Sequence, residues 1–408
     1  MPQFADRVAK AQRSFIREIL KVTADPSVIS FAGGLPNPAS FPVPEIAAAA
    51  AKVLYESGPS ALQYSTTEGY APLREWIANR YRTRMGMDVN AQDILITTGS
   101  QQALDLVAKI MVNAGDVVVM EKPGYLGAIQ AFTIFRPSWR SVPLEDDGPD
   151  LAALEAALAG AKLFYAVTSF QNPSGLSYSE EKRAHVAEIL ARHKVFFLED
   201  DPYGELRFKG RALPPVYKQR PENSMLLGTF SKVAAPGFRL GWIVARGEIM
   251  ERLVIAKQAA DLHTGSLDQM IVHRFLADND FEAHVARISE LYGSQCRAMQ
   301  AAIARHFPKN VQVTDPDGGM FLWATLPEKL SATELLKRAV ECKVAFVPGA
   351  AFFVDGTGEN TLRLNFSNAD VPTINEGIKR LGACIEACMA EACTGEARMT
   401  GAAACAGA

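Results

Sequence analysis

The sequence has no cysteine before Cys296 and no histidine after His306. Four of its six cysteines, Cys384, Cys388, Cys393 and Cys405, fall within the last 25 residues. Cys384 and Cys388 are spaced to share a helix face, yet no histidine follows to complete a metal set. Free thiols in a reducing compartment are therefore expected, with no metal site and a cytoplasmic location. No apolar run reaches membrane-spanning length. Asp6, Arg7, Lys10, Arg13, Arg17 and Glu18 spread charge through the first 21 residues, which excludes the apolar centre of a signal peptide. An excess of either charge is also missing: 42 basic against 45 acidic residues leave a net −3. That balance gives no electrostatic footprint for a nucleic acid or a membrane surface. There is neither a Gly-x-Gly-x-x-Gly nor a Gly-Lys-Ser/Thr, which argues against dinucleotides and nucleoside triphosphates. No internal repeat is visible.

What is present is ordinary for a large globular chain. Hydrophobic residues make up 48% of 408, and surface scaling lets about three quarters of the extended chain's surface be buried. From about Pro44 to Ala245, helical patterns alternate with short, almost wholly apolar runs. The helices are expected from Pro44 to Ser57, Pro72 to Met85 and Ser100 to Val112. The apolar runs are Ile94 to Thr98, Val117 to Met120, Leu163 to Thr168, Val195 to Glu199, Met225 to Phe230 and Leu240 to Ala245. Strands apolar on both faces and separated by helices predict a mostly parallel sheet covered on both sides, an α/β fold. After about Asp268 the pattern becomes a long helix, a hairpin turning at Asp315 to Gly319, short strands and a last helix. This suits a smaller α+β domain. The expected division is 1–43 for an N-terminal helix and substrate-contact segment, 44–267 for the large domain and 268–393 for the small one. The low-complexity tail 394–408 is expected to be disordered.

Four strand ends carry polar residues of different kinds. Lys232 follows an apolar strand in Gly228-Thr229-Phe230-Ser231-Lys232, where desolvation or a nearby cation can lower an amine's pKa and suit it to covalent chemistry on carbonyls. Thr229, Ser231 and Arg239 offer hydroxyls and a cationic fork that could hold a phosphate. Glu199-Asp200-Asp201-Pro202-Tyr203 ends a second strand, at the edge where open α/β sheets bind ligands. Asn172 lies past a third, in Gln171-Asn172-Pro173-Ser174-Gly175. Ser100 and Gln101 open a helix after Thr97-Thr98-Gly99 and make an anion site. Each group alone has a plain reading as a solvated turn; four together, at successive strand ends, do not.

In this order and spacing the segments resemble the class I/II aminotransferases, fold-type I enzymes dependent on pyridoxal 5′-phosphate. The branch holding the α-aminoadipate and kynurenine aminotransferases looks most similar, through Gly33 to Pro38, Ser100 to Gln102 and Glu199 to Tyr203. The resemblance spans about Arg17 to Phe366. It implies a large domain with a mostly parallel seven-stranded sheet, a small domain and a homodimer. It also implies a ping-pong transfer from an L-amino acid (aromatic, aminoadipate-like or branched) to a 2-oxo acid such as 2-oxoglutarate. Carried over residue by residue, Lys232 would hold the cofactor covalently and move the substrate's Cα proton, with Asp200 on the pyridine nitrogen. Asn172 and Tyr203 would meet the ring hydroxyl and Tyr125 would stack on the ring. Ser100, Gln101, Thr229, Ser231 and Arg239 would hold the phosphate, joined by Tyr64 from the neighbouring subunit. Arg363 would take the substrate carboxylate, Gly34 would let backbone approach the substrate, and Arg17 would meet its side chain.

Some positions depart from the family pattern. Phe170 stands where proline and small residues are usual and is expected to place an extra aromatic near the cofactor. Thr229 replaces a common serine, and Pro236 lies where small polar residues are more usual. Racemisation, β-elimination or decarboxylation on the same scaffold would need the same Lys232, Asp200 and Arg363. A non-catalytic regulator is disfavoured because only about 40 residues precede Phe41, too few for a winged-helix DNA-binding domain.

Overall fold

The computed structural model describes residues 4–9 and 25–405, with 393–405 as backbone alone. A short helix, Asp6–Ala9, precedes the first strand, the two-residue β1 (Ile29–Ser30). The central sheet follows with β2 (Ile94–Thr97), β3 (Val117–Lys122), β4 (Ser138–Glu145), β5 (Gly148–Pro149), β6 (Leu163–Ala166), β7 (Phe196–Asp200), β8 (Ser224–Thr229) and β9 (Gly241–Val244). Their order across the sheet is β2-β9-β8-β7-β6-β3-β4-β5. Neighbours from β8 through β4 are parallel, while β9 runs against both β2 and β8.

The period-2 alternation of these strands divides the core. Val118, Met120, Leu163, Tyr165 and Leu198 face one side, with Leu104 and Val107 of the helix Ser100–Met111. Val119, Phe164, Ala166 and Phe197 face the other, against Leu154, Val186, Ile189 and Leu190. Residues buried on both faces make the unbroken apolar runs of the sequence. β4 is the strand those runs do not reveal: in Ser-Trp-Arg-Ser-Val-Pro-Leu-Glu only Val142 is buried, because it lies towards one margin of the sheet. The sheet has eight strands, one more than the seven expected. The addition is the two-residue β5, antiparallel to β4 at the edge.

A second sheet, in the order β10-β11-β14-β13, is antiparallel. It comprises β10 (Gln312–Val313), β11 (Phe321–Thr325), β13 (Val347–Pro348) and β14 (Thr361–Asn365). β12 (Val344–Ala345) pairs in parallel with β1 instead. That pairing, extended by the Phe31 N–H to Ala345 O and the Asn365 N–H to Phe31 O, seats the N-terminal segment beside β14. The last helix, Val371–Cys405, buries Ile374, Ile378, Leu381 and Ile385. Its backbone is helical as far as Cys405.

Candidate active site

β2, β3, β6, β7 and β8 point their carboxyl ends to one edge of the sheet, and β9 starts there. Every turn leaving that edge therefore converges on one place. It is a cavity of about 390 Å³ lined by Ser100, Gln101, Tyr125, Asn172, Asp200, Tyr203, Thr229, Ser231, Lys232, Arg239, Arg363 and Gly34, among others. Residues far apart in the chain meet here because the first segment and β14 close over the strand ends.

Asp200 ends β7 and is 1% exposed. Its Oδ2 accepts a hydrogen bond from the Tyr165 hydroxyl at 2.9 Å, while its Oδ1 has no partner. Burial pushes its pKa up to about 7 against the pull of Tyr165. A buried carboxylate oxygen left unpaired is costly and calls for a donor. Lys232 donates to Gly34 O at 3.0 Å. Burial, and then the charges of Arg363 and Arg239, lower its amine to about 8. Arg363 donates to Asn172 Oδ1 at 2.7 Å and Ala32 O at 2.6 Å, with its Nε unpartnered. Its guanidinium lies over Phe321 (4.4 Å to the ring centre) and near Phe352 (5.2 Å). Burial brings it down to about 10. Tyr203, whose pKa is raised by burial, stands 3.5 Å from Asn172 Nδ2 and edge-on to Phe321. Burial and the nearby Asp200 push Tyr125 up to about 12.

At the other end, Thr229 Oγ1 accepts from the Ser231 N–H at 3.1 Å and donates to Leu240 O at 3.0 Å. Arg239 adopts left-handed backbone (φ 52°) after the turn Pro236–Phe238. It reaches Gly99, where an added Cβ would sit 2.6 Å from Arg239 Nη2, and Gly99 itself has φ 75°. Only glycine meets both conditions. The next helix, Ser100–Met111, begins with N–H groups that no intrahelical carbonyl accepts. Gln101 is held by its own bond to Gly127 O at 3.0 Å.

Of the residues named from sequence, Arg17 lies outside the described residues. Tyr64 is 80% exposed and is not among the cavity's lining; it meets His263 edge-on at 5.9 Å. Phe170 is a correction. It is buried, but its ring packs on Gly318 and Gly319 with Arg207 4.7 Å from its centre, and it does not line the cavity. Its backbone is left-handed there, with φ 49°. Sequence reasoning missed Tyr165, although a hydroxyl inside an all-apolar strand signals a buried partner. It also missed Glu121, which accepts from Tyr178, Gln171 and the Val167 N–H and so ties the Tyr125 turn to the Asn172 turn. Phe321 and Phe352 carry no sequence signal that separates them from core.

A buried amine of lowered pKa, a buried carboxylate with a vacant acceptor and a clustered anion cradle define a fold-type I pyridoxal-phosphate site. The comparisons carry this to a family. The model of aminotransferase class I and II matches residues 27–381. The chain is 44% identical to the 2-aminoadipate transaminase of Thermus thermophilus, over 95% of this chain and 97% of that one. It is 40% identical to aromatic-amino-acid aminotransferase 1 of Thermococcus litoralis, over 94% of each. The crystal structure of the α-aminoadipate aminotransferase from Thermus thermophilus, complexed with N-(5′-phosphopyridoxyl)-L-leucine, superposes with a TM-score of 0.89. It covers 95% of this chain and 98% of that one at 44% identity. The chain belongs to the class I and II aminotransferases, and it is a pyridoxal-phosphate-dependent enzyme of amino-group transfer. Its residues fit the cofactor: Asp200 Oδ1 lacks the donor that a pyridine N–H supplies, and Gly99 leaves room beside Arg239.

Proposed function

We propose that the enzyme passes the amino group of an aromatic, branched or aminoadipate-like L-amino acid to 2-oxoglutarate by a ping-pong route. Pyridoxal phosphate, when bound, supplies a carbonyl that takes up amino groups and a ring that withdraws electrons. Lys232 Nζ would hold it covalently and, once the substrate's amine has displaced it, would take the substrate's Cα proton and deliver it to the carbon that had carried the cofactor's carbonyl, not back to Cα. Asp200 Oδ1 keeps the ring nitrogen protonated, and Tyr165 holds that carboxylate in place. Asn172 and Tyr203 bind the ring hydroxyl, and Tyr125 covers the ring face. Ser100, Gln101, Thr229, Ser231 and Arg239 hold the phosphate. Arg363 receives the substrate carboxylate by a fork whose Nε has no partner in the free protein. Gly34, with Phe321 Cζ 3.2 Å from where a Cβ would stand, keeps backbone close to the substrate.

The observation that carries this reading is the meeting of Lys232, Asp200 Oδ1 and Arg363 in one buried cavity. Among the described residues, the cations lining it are Lys232, Arg239 and Arg363, each already given a task. Leu35, Leu126, Val167 and Phe352 make most of the remaining wall apolar, with Gln130 as an uncharged polar member, which supports aromatic and branched donors. An acidic donor needs a further cation, and Arg17 is our candidate. We place the active unit as a homodimer in the cytoplasm, with exposed Tyr64 reaching the partner's phosphate site. The large domain spans 44–267 and the small one 268–393. A donor panel run against 2-oxoglutarate and pyruvate tests the substrate reading. Phenylalanine, leucine and 2-aminoadipate should be used with 2-oxoglutarate preferred, and Arg17→Ala should raise KM for 2-aminoadipate more than for phenylalanine. Preference for pyruvate, or an equal effect on both donors, contradicts it.

A further inference from the structure

Gln102, the second glutamine of Ser-Gln-Gln, does not line the cavity, and neither does Lys257. Lys257 is nevertheless completely buried, on the helix Gly247–Asp261. A buried ammonium persists only when it is paired and hydrogen-bonded. Its Nζ donates to Asp261 Oδ1 at 2.6 Å and to Gln102 Oε1 at 2.9 Å. Gln102 Oε1 accepts from the Thr98 N–H as well, at 2.8 Å, and Gln102 Nε2 donates to Asp261 Oδ2 at 2.6 Å. The Thr98 hydroxyl donates to that same Oδ2 at 3.0 Å. Thr98 and Gln102 bracket Gly99, Ser100 and Gln101. Both ends of the turn are thus clamped to one ion pair, and Arg239 rests on the glycine between them.

We infer that Lys257, acting with Asp261 through Gln102, is a positioning residue for the turn Gly99-Ser100-Gln101 that grips the cofactor's phosphate. The inference rests on the phosphate assignment made above. Clamping Thr98 and Gln102 fixes the direction of the unpaired N–H groups and of the Ser100 hydroxyl before the anion arrives. Orientation fixed in advance raises affinity by removing the cost of ordering on binding. A plain structural staple between two helices would stabilise the fold without distinguishing one end of the cofactor from the other.

The test is the affinity of the apoprotein for pyridoxal phosphate and for pyridoxal, which lacks the phosphate, read by tryptophan fluorescence. Lys257→Met and Gln102→Leu should each weaken pyridoxal phosphate about tenfold, the scale of one charge-assisted hydrogen bond, and leave pyridoxal unchanged. Equal weakening of both ligands, or of neither, overturns the inference. Arg239→Gln is the control. If it too fails to separate the two ligands, the phosphate assignment itself falls. If it separates them and the other two variants do not, only the role of Lys257 falls. Thermal unfolding of each apoprotein by circular dichroism identifies any variant that does not fold, and Gln102→Leu, which leaves the Lys257–Asp261 pair whole, carries the same test should Lys257→Met fail.

Discussion

Asp200 keeps a carboxylate where water does not reach it, and the cost depends on pH. Its pKa is about 7 in the fold against 3.8 in the open chain. A group raised on folding gives its full stability below the unfolded value and loses it as pH rises through the folded one. Between about pH 4 and 7 the apoprotein therefore loses about 1.4 kcal/mol of stability per pH unit through this residue. Asp200→Asn removes that dependence: its apoprotein should be more stable than wild type at pH 8 and similar at pH 4, by urea unfolding. An equal difference at both pH values contradicts the burial account. Lys232 responds in the opposite sense. The neutral amine captures the cofactor, so the capture rate of the apoprotein should rise with pH to a plateau, with a midpoint near 8. Arg363→Gln takes away one of the cations that lower it and should move the midpoint upward; an unmoved midpoint removes Arg363 from the causes and leaves burial and Arg239. At this scale the sequence was most legible where a residue type is chemically irreplaceable, as with Lys232, Asp200 and Arg363. It was least legible where a role depends on a neighbour distant in the chain: Tyr165 reaches Asp200 only because β6 and β7 are adjacent.

The elements most important to the site are the turns at the strand ends, and buried polar side chains hold them. Arg183, on the helix Glu180–Arg192, donates to Thr168 O at 2.7 Å, to the Ser169 hydroxyl at 3.0 Å and to Pro214 O at 3.1 Å. Glu199, fully buried next to Asp200, accepts from the Thr168 hydroxyl and from the Val216 and Tyr217 N–H groups. Arg183→Met leaves Glu199 without the cation 3.8 Å away, and loss of one partner of a buried pair costs about 3 kcal/mol or more. Urea unfolding should register that loss, and a change under about 0.5 kcal/mol, as for ordinary surface positions, counts against this network. The apolar strands were visible in sequence because burial on both faces leaves unbroken hydrophobic runs. β4 was not, because a strand lying near an edge with one buried residue reads like a loop.

At the scale of the molecule, two sheets and a two-strand clasp bring residues 34, 172, 232 and 363 to one cavity, though in sequence they span most of the chain. Motif order made that gathering legible; the β1–β12 pairing that delivers Gly34 was not, because two-residue strands leave no periodicity. In the homodimer proposed above, exposed Tyr64 would serve the partner's site. Lys232→Ala and Tyr64→Ala homodimers should each be impaired. A hybrid dimer of one subunit of each kind should recover one site of wild-type affinity, since Tyr64 from the first subunit completes the second subunit's lysine. No recovery in the hybrid assigns Tyr64 to its own chain.

In the proposed reaction Lys232 and its neighbours move an amino group and release nothing but the 2-oxo acid. Purified enzyme carrying its cofactor, mixed with phenylalanine and no acceptor, tests it directly in a single turnover. The expected result is one equivalent of the 2-oxo acid per active site, a loss of the visible absorption of the Lys232-bound cofactor, and its return on adding 2-oxoglutarate. Continuing release of ammonia or carbon dioxide, or accumulation of the D-isomer, would contradict it.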